Sequence, residues 1–175
     1  VDNPNNRSSH IKPIPRGGGL IFAILSLLSL SLFEIYKPLF IIPLIIVGLI
    51  DDRLNISSKF RYLIHLLTSF LLVYKSPLYF LINDLVGFKF IILILFLTIL
   101  GTAIINFSNF MDGLDGLLAG VMLIIFTSLA LLVDIKYLLI CGTLIGFLKW
   151  NWSPAKIFMG DVGSTFLGAM LFYSL

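Results

Sequence analysis

Long apolar segments follow one another along this chain, and they constrain its fold more than any other feature. Most of them approach the roughly 17 to 25 residues that an α-helix needs to cross the ~30 Å hydrocarbon core of a bilayer. Hydrophobic residues make up 59% of the 175 residues and charged residues only 12%, whereas about a quarter of the residues in a soluble domain are charged. The sequence therefore predicts an integral membrane protein.

Seven of these segments are predicted to be membrane-spanning helices, which gives an all-α, polytopic transmembrane bundle in a single domain over residues 1–175. Residues 77–86 are predicted to form an interfacial segment or a short outer loop. Pro43 lies inside the second segment and is expected to kink it. The seven segments cover approximately residues 20–36, 38–50, 60–74, 88–105, 114–133, 137–150 and 162–175.

Charge is distributed unequally between the two sets of loops. If every segment crosses the bilayer, loops 1–16, 51–58, 106–113 and 151–161 share one side, which holds eight of the twelve basic residues. The positive-inside rule makes that side cytoplasmic. A carboxylate-rich site is therefore predicted at the cytoplasmic surface of the membrane. That side also holds six of the nine acidic residues, namely Asp2, Asp51, Asp52, Asp112, Asp115 and Asp161.

The polar stretch from Asn106 to Gly120, at the mouth of a predicted span, is the first functional candidate. Carboxylates near hydrocarbon are costly and usually serve a ligand, a metal or an ion path. Helix capping, with Asp112 as N-cap and Asp115 in the first turn, is the structural alternative. Capping does not explain Asn106 and Asn109, so the functional interpretation is favoured.

Two further motifs place carboxylates at helix ends. Asp51 and Asp52 either mark the water boundary or have two different roles, one in cation binding and the other in acid–base catalysis. Different roles are expected because adjacent helical residues point ~100° apart. Asp161, flanked by Gly160 and Gly163, either caps a helix or contributes to a Mg²⁺ site. Mg²⁺ takes few protein ligands and keeps substrate oxygens and water.

Other features exclude some classes of function. The net charge of +3 is modest and the basic residues are scattered, which argues against a nucleic-acid partner. The one cysteine, Cys141, lies in an apolar segment, so there is no disulfide framework. His65 is predicted to make interhelical hydrogen bonds. The sequence begins without Met and ends inside an apolar segment, so it is expected to be a fragment of a longer protein.

Taken together, four motifs in order resemble the polyprenyl-phosphate N-acetylhexosamine-1-phosphate transferases. The Arg-Ser-Ser-His and Pro-Arg-Gly-Gly-Gly forms, with Trp-Asn-Trp-Ser-Pro-Ala-Lys-Ile-Phe-Met-Gly-Asp, are most similar to the branch that initiates O-antigen rather than to the muramoyl-pentapeptide branch. The motifs are Asp2-x-Pro4-x-x-Arg7-x-x-His10 with Pro15-Arg16-Gly17-Gly18-Gly19, Gly48-Leu-Ile-Asp51-Asp52-Arg53, Asn106-x-x-Asn109-x-x-Asp112-Gly-x-Asp115-Gly, and Phe158-Met-Gly160-Asp161-x-Gly163-Ser164.

The resemblance implies an enzyme of the bacterial inner (cytoplasmic) membrane whose active site faces the cytoplasm. Undecaprenyl phosphate would attack the β-phosphorus of a UDP-N-acetylamino sugar, UMP would leave, and the lipid-linked sugar diphosphate would initiate a cell-surface polysaccharide. Mg²⁺, or alternatively Mn²⁺, would be the cofactor, and a homodimer is compatible with the family. The family usually has a further N-terminal span and several C-terminal spans, so the implied activity belongs to the full-length protein.

The matching positions imply a role for each site residue. Asn109 and Asp161 would bind the metal. Asp51 would act on the lipid phosphate as base or orienter, although this phosphate is already ionised at neutral pH, and Asp52 would support the phosphate or metal site. Asp112 and Asp115 would contact the nucleotide sugar or stabilise the site. The remaining substrate-binding residues would be Arg7, His10, Arg16, Asn106 and Ser164, together with Asn109.

Two alternatives stay open. The CDP-alcohol phosphatidyltransferases also use membrane-associated Asp residues with a divalent metal, but their motif has an Ala-Arg pair where this chain has Leu114-Asp115. An ion or proton transporter would distribute carboxylates through the depth of the bilayer. Here the outer acids Glu34, Asp84 and Asp134 are isolated, which disfavours that function. The identity of the sugar, such as GlcNAc, QuiNAc or FucNAc, is not readable.

Overall fold

The computed structural model describes residues 13–76, 79 and 87–175, and within them the fold is all-helical. Two short 3₁₀-helices, Lys37–Ile41 and Ile135–Tyr137, join longer helices. The all-α prediction is confirmed, whereas the predicted interfacial segment falls largely outside the described residues. The α-helices are α1 Gly18–Leu32, α2 Ile42–Leu54, α3 Ser58–Lys75, α4 Phe88–Met111, α5 Leu117–Leu132, α6 Leu138–Asn151 and α7 Gly160–Ser174.

Local backbone chemistry explains where α2 begins and ends. Pro43 lies in the first turn of α2, where its missing N–H costs nothing. The expected kink within a continuous span is therefore wrong, because a 3₁₀ turn precedes a new helix. Asn55 adopts φ 48°, and its N–H donates to the carbonyl of Asp51, 3.0 Å away. This left-handed residue ends the helix just beyond the two aspartates.

Helix α7 lies at the centre of the bundle, and small residues allow its neighbours to approach it closely. A Cβ added to Gly163 would lie 2.8 Å from Gly19 of α1, and one added to Gly48 of α2 would lie 2.7 Å from Val162. On the opposite side, Gly168 packs against Ile105 of α4. Such contacts are typical of helices that associate in membranes. They place the first turn of α7 among α1, α2 and α4.

Helix α4 is, within the described part of the chain, the one helix both long and apolar enough to span a membrane. Its 24 residues extend ~36 Å, and only 22% of its most apolar window is buried. Leu95, Phe96 and Ile99 are each more than half exposed. Helices α1 and α5 are also apolar but shorter. Seven α-helices in the described residues thus correspond to the seven predicted segments, and α4 is the one among them that combines the length and the apolar composition expected of a span.

Candidate active site

One guanidinium connects two of the predicted site carboxylates. Arg61, in the first turn of α3, pairs through Nη1 with Asp51 Oδ2 and lies 2.9 Å from Asp161 Oδ2. Asp51 is 6% exposed, and its other oxygen accepts the N–H of Ile56 at 2.8 Å. The ends of α2, α3 and α7 therefore meet at a charged contact. Sequence reasoning missed Arg61, because nothing local to it indicates its partners.

Asp52 reaches the same turn of α7 from a different direction. Its Oδ1 accepts the backbone N–H of Asp161 at 3.1 Å. Its Oδ2 is buried and has no hydrogen-bond partner within the described ranges. Gly160 has φ 73°, and a Cβ there would overlap the Asp52 carboxylate. Asp52 thus contacts α7 through the backbone of Asp161, whereas Asp51 is linked to the side chain of Asp161 by Arg61.

Asp112 lies in the turn between α4 and α5 and faces this group of charges. The pKa of Asp112 is raised well above the ordinary carboxyl value, first because burial removes water and second because Asp161 and Asp52 carry like charge. The N–H of Gly160 donates to Asp112, which opposes the rise. The structural alternative, in which Asp112 is an N-cap and Asp115 lies in the first turn, is wrong, since Asp112 caps the C-terminus of α4 and α5 begins only after Gly116.

Asp115 attaches the same turn to the segment between α6 and α7. Its Oδ2 accepts the N–H of Ala155 at 2.9 Å, while its Oδ1 is buried without a partner among the residues described. Asn151, 3% exposed, accepts the N–H of Gly116 at 3.1 Å and donates to the carbonyl of Ile157 at 3.0 Å. Asn151 was not predicted, and its role is visible only once these loops are brought together.

The two asparagines of the 106–116 stretch occupy different surroundings. Asn109 accepts a hydrogen bond from Ser164 Oγ at 2.7 Å. Ser164 is fully buried, so its hydroxyl group contacts other residues of the protein. Asn106 donates to the carbonyl of Thr102 at 2.8 Å. It lines a pocket of about 350 Å³ together with Lys59 and Arg61. Arg61 is therefore shared between this basic pocket and the acidic residues.

The glycine triplet joins the N-terminal segment to the loop that carries Asp161. Gly18 and Gly19 donate backbone hydrogen bonds to the carbonyls of Phe158 and Met159, each at 3.0 Å. The positive charge of Arg16 acts on Asp112 and partly offsets the rise in its pKa. Arg7 and His10, predicted to neutralise phosphate, lie outside the described residues.

The oxygen atoms around Asp161 are of the type that a hard divalent cation binds, but no three His, Cys, Asp or Glu side chains converge on one ion position in the described residues. Mg²⁺ prefers oxygen ligands and keeps water and substrate oxygens, so it needs few protein groups. Asp52 Oδ2 is a buried carboxylate oxygen without a donor. Asp52, Asp112 and Asp161 also repel one another when charged, and Arg61 is paired with Asp161 and Asp51.

These contacts gather the described parts of the four sequence motifs at one end of the bundle, and comparison with known proteins assigns the chain to a family. The profile of glycosyl transferase family 4 matches residues 35–175. The chain is 36% identical over 174 residues to the undecaprenyl-phosphate α-N-acetylglucosaminyl 1-phosphate transferase of Thermotoga maritima, an alignment that covers 98% of this chain and 54% of that protein.

Two other relatives extend the comparison. A probable undecaprenyl-phosphate N-acetylglucosaminyl 1-phosphate transferase of Bacillus subtilis is 34% identical, with 96% of this chain and 52% of that protein covered. The phospho-N-acetylmuramoyl-pentapeptide-transferase of Chlamydia trachomatis is 31% identical, with 90% and 59% covered. The chain thus spans about half the length of these curated relatives. Since the family profile covers α2 to α7 and every carboxylate of the described site, the chain belongs to glycosyl transferase family 4.

Proposed function

We propose that the protein containing this chain transfers an N-acetylamino-sugar 1-phosphate from a UDP-sugar to undecaprenyl phosphate, releasing UMP. The names of the relatives support this reaction class, because each describes transfer of a phosphorylated N-acetylamino sugar and those of Thermotoga maritima and Bacillus subtilis include undecaprenyl phosphate. The observation that carries the proposal is the convergence of Asp51, Asp52, Asp112 and Asp161 with Arg61 at one end of the bundle.

The reaction brings two polyanions together, so the site must neutralise their negative charges and position them. Phosphoryl transfer depends mainly on positioning and electrostatic stabilisation. Asp161 and Asn109, with support from Asp52, would hold Mg²⁺, and the bound ion would supply neutralisation of the diphosphate oxygens. Mn²⁺ has the same ligand preferences and is the alternative.

Other residues of the site are proposed to position the carboxylates and the substrates. Arg61 fixes the Asp51 and Asp161 carboxylates relative to one another, which holds the ends of α2, α3 and α7 together. Asp51 is already held by Arg61 and Ile56, which favours an orienting role toward the acceptor phosphate over proton removal. Asp112 and Asp115 lie in the turn fastened to the 151–160 segment, where they would meet the nucleotide sugar.

The helical bundle is proposed to lie in a lipid bilayer. Exposed apolar side chains on α4 and on the shorter helices α1 and α5 suit lipid contact. The excess of basic residues on the loops around the site suits a cytoplasmic location in a bacterial inner membrane. In this arrangement the seven segments cross the membrane and the carboxylates lie at its cytoplasmic surface. The O-antigen-like motif forms favour lipopolysaccharide or a related cell-wall glycan as the pathway.

The experiment uses the full-length protein in detergent, undecaprenyl phosphate and a panel of radiolabelled UDP-N-acetylamino sugars. UMP release and label in the lipid phase are followed with Mg²⁺ and with EDTA. Transfer should require the metal and should be lost in Asp161→Asn. Asp134→Asn, which changes a partly exposed acid just beyond the C-terminal end of α5, is the matched control and should retain activity. A folded protein that transfers no sugar in the panel would contradict the proposal. The transporter alternative would then be tested by an ion-flux assay.

A further inference from the structure

An apolar groove of about 650 Å³ runs between α1 and α6. Its walls include Ile21 and Leu25 from α1 and Phe147 from α6. Ile21 is 64% exposed and Leu25 is 48% exposed. The acidic residues and the basic pocket beside Asn106 do not contribute to this groove, so the transferase site does not explain it.

The floor of the groove is formed by two glycines on one face of α6. Gly142 and Gly146 are four residues apart, so they lie one above the other along the helix. A Cβ added to either would meet nothing within 4 Å. Small residues at this spacing allow another chain to approach the helix backbone. The described protein supplies no such chain at this place.

The groove occupies only one half of each helix. On α1 its lining ends at Leu25, although the helix continues to Leu32, and on α6 it begins at Gly142 rather than at Leu138. The stretch from Gly142 to Trp150 is ~12 Å long, close to the ~15 Å depth of one leaflet. A spanning helix would contact both halves of α1 and α6. A lipid chain belongs to a single leaflet and fits this extent better.

One end of the groove carries a lysine. Lys156 lines it, with Nζ 5.7 Å from the centre of the Trp150 ring, and Lys149 precedes Trp150 in the sequence. Trp and Lys side chains lie at the level of lipid headgroups. Basic pockets between helices on the cytoplasmic side bind anionic headgroups. The charge at this end therefore complements a lipid phosphate.

The groove and the carboxylates lie on different sides of α1. A Cβ on Gly18 would contact Phe147 and Ile157 beside the groove, whereas one on Gly19 would contact Gly163 of α7. Helix α1 is thus packed between the groove and the helix that carries Asp161. A lipid in the groove does not share the site of phosphoryl transfer, which favours a resident lipid over the acceptor.

We propose that this groove binds an anionic phospholipid of the cytoplasmic leaflet, with an acyl chain along Gly142 and Gly146 and the phosphate beside Lys156. The proposal rests on the bilayer placement proposed above and is independent of the transfer reaction. The lipid would cover apolar surface that α1 and α6 leave open and would stabilise their contact.

The test is native mass spectrometry of the full-length protein, purified in a mild detergent with phosphatidylglycerol or phosphatidylcholine. We expect preferential retention of phosphatidylglycerol. Gly146→Leu fills the groove and Lys156→Gln removes its charge, so each should reduce retention several-fold. The matched controls are Gly120→Leu, whose Cβ also meets nothing within 4 Å, and Lys89→Gln at the start of α4. Both controls should retain the lipid as the wild type does.

Equal retention of the two lipids, or unchanged retention in both groove variants, would overturn the proposal. Displacement of phosphatidylglycerol by equimolar undecaprenyl phosphate would overturn it in favour of the acceptor. Resistance of the Gly146→Cys variant to maleimide in lipid-free detergent would overturn it in favour of a covering protein segment. Transfer assays on the same preparations separate the two proposals, because Gly146→Leu should keep activity while losing lipid and Asp161→Asn should do the reverse.

Discussion

Arg61 Nη1 lies 2.9 Å from Asp161 Oδ2 while the same nitrogen pairs with buried Asp51. The two carboxylates come from different helices, and without the guanidinium they would face each other as like charges. One cation thereby sets the relative position of two residues that sequence reasoning assigned to catalysis.

Replacing Arg61 by Gln should reduce kcat/KM for sugar 1-phosphate transfer at least about 100-fold, because preorganised charge is lost from the site. The free energy of unfolding should fall by only about 1 to 2 kcal/mol, since the Arg61 side chain is 33% exposed. Transfer assays and thermal unfolding in detergent measure the two effects. Lys59→Gln removes a neighbouring exposed cation and should leave stability unchanged. Equal activity of the Arg61 variant and wild type would refute the role.

Asp52→Asn tests the charge at the buried oxygen without changing the shape of the side chain. The retained amide oxygen can still accept the N–H of Asp161, so folding should be preserved. Loss of the negative charge should raise the Mg²⁺ concentration for half-maximal transfer about 10-fold or more, the scale of a lost supporting group at a metal site. The measurement is a Mg²⁺ titration of transfer. An unchanged titration curve, with Asp134→Asn as control, would exclude Asp52 from the metal site.

Gly160 is expected to tolerate no side chain. Its φ of 73° disfavours residues with a Cβ, and that Cβ would overlap the Asp52 carboxylate. Gly160→Ala should therefore destabilise the protein by about 1 to 3 kcal/mol and reduce transfer. Gly120→Ala is the control, because its Cβ meets open space within helix α5 and alanine favours helix. If both variants unfold at the wild-type temperature, the contact between Gly160 and Asp52 is not a close one.

The helical architecture and the gathering of acids at one face follow from sequence pattern, because apolar length and loop parity are local properties. The partners of Arg61 and Asn151 do not follow. Arg61 contacts an aspartate 100 positions away, and Asn151 contacts Gly116 across 35 positions. Such pairs depend on how helices pack, which hydrophobic pattern does not specify.

The sequence pattern also does not predict where individual helices begin and end. Helix α1 ends at Leu32 because Glu34 takes φ 63°, and the following Lys37–Pro38 opens a 3₁₀ turn. The fifth span was predicted to start at Leu114, yet Gly116 at φ 68° delays α5 to Leu117. In both cases a single residue with positive φ breaks an apolar run whose composition alone predicts continuous helix.

Asp112 should make stability depend on pH in the direction opposite to that of a salt-bridged carboxylate. Its pKa is raised in the folded protein, chiefly by burial and then by Asp161 and Asp52. The folded state therefore holds the proton over a pH range in which the unfolded state has lost it. Stability is greatest below the unfolded value near ~4 and falls as pH rises through the raised pKa.

Asp112→Asn removes this penalty, so the variant should unfold at a higher temperature than wild type at pH 8 and at nearly the same temperature at pH 4. Its transfer activity should nevertheless fall, because the charge near the nucleotide sugar is lost. Thermal unfolding in EDTA at the two pH values checks the first statement. Added Mg²⁺ should stabilise wild type more than the variant. A variant less stable than wild type at pH 8 in EDTA would contradict the argument.

Asn151→Ala should impair transfer although Asn151 is not proposed to touch substrate. The substitution leaves the N–H of Gly116 and the carbonyl of Ile157 without their partner in a buried setting, and each unsatisfied group costs about 1 to 3 kcal/mol. The turn that carries Asp112 and Asp115 would then lose its attachment to the loop before α7. Unfolding temperature should fall, and the KM for the UDP-sugar should rise more than kcat falls. Ser128→Ala, which removes an exposed hydrogen bond to the carbonyl of Ile124 outside this contact, is the comparison for a general effect on stability. A change in kcat alone would place Asn151 at the reacting groups instead.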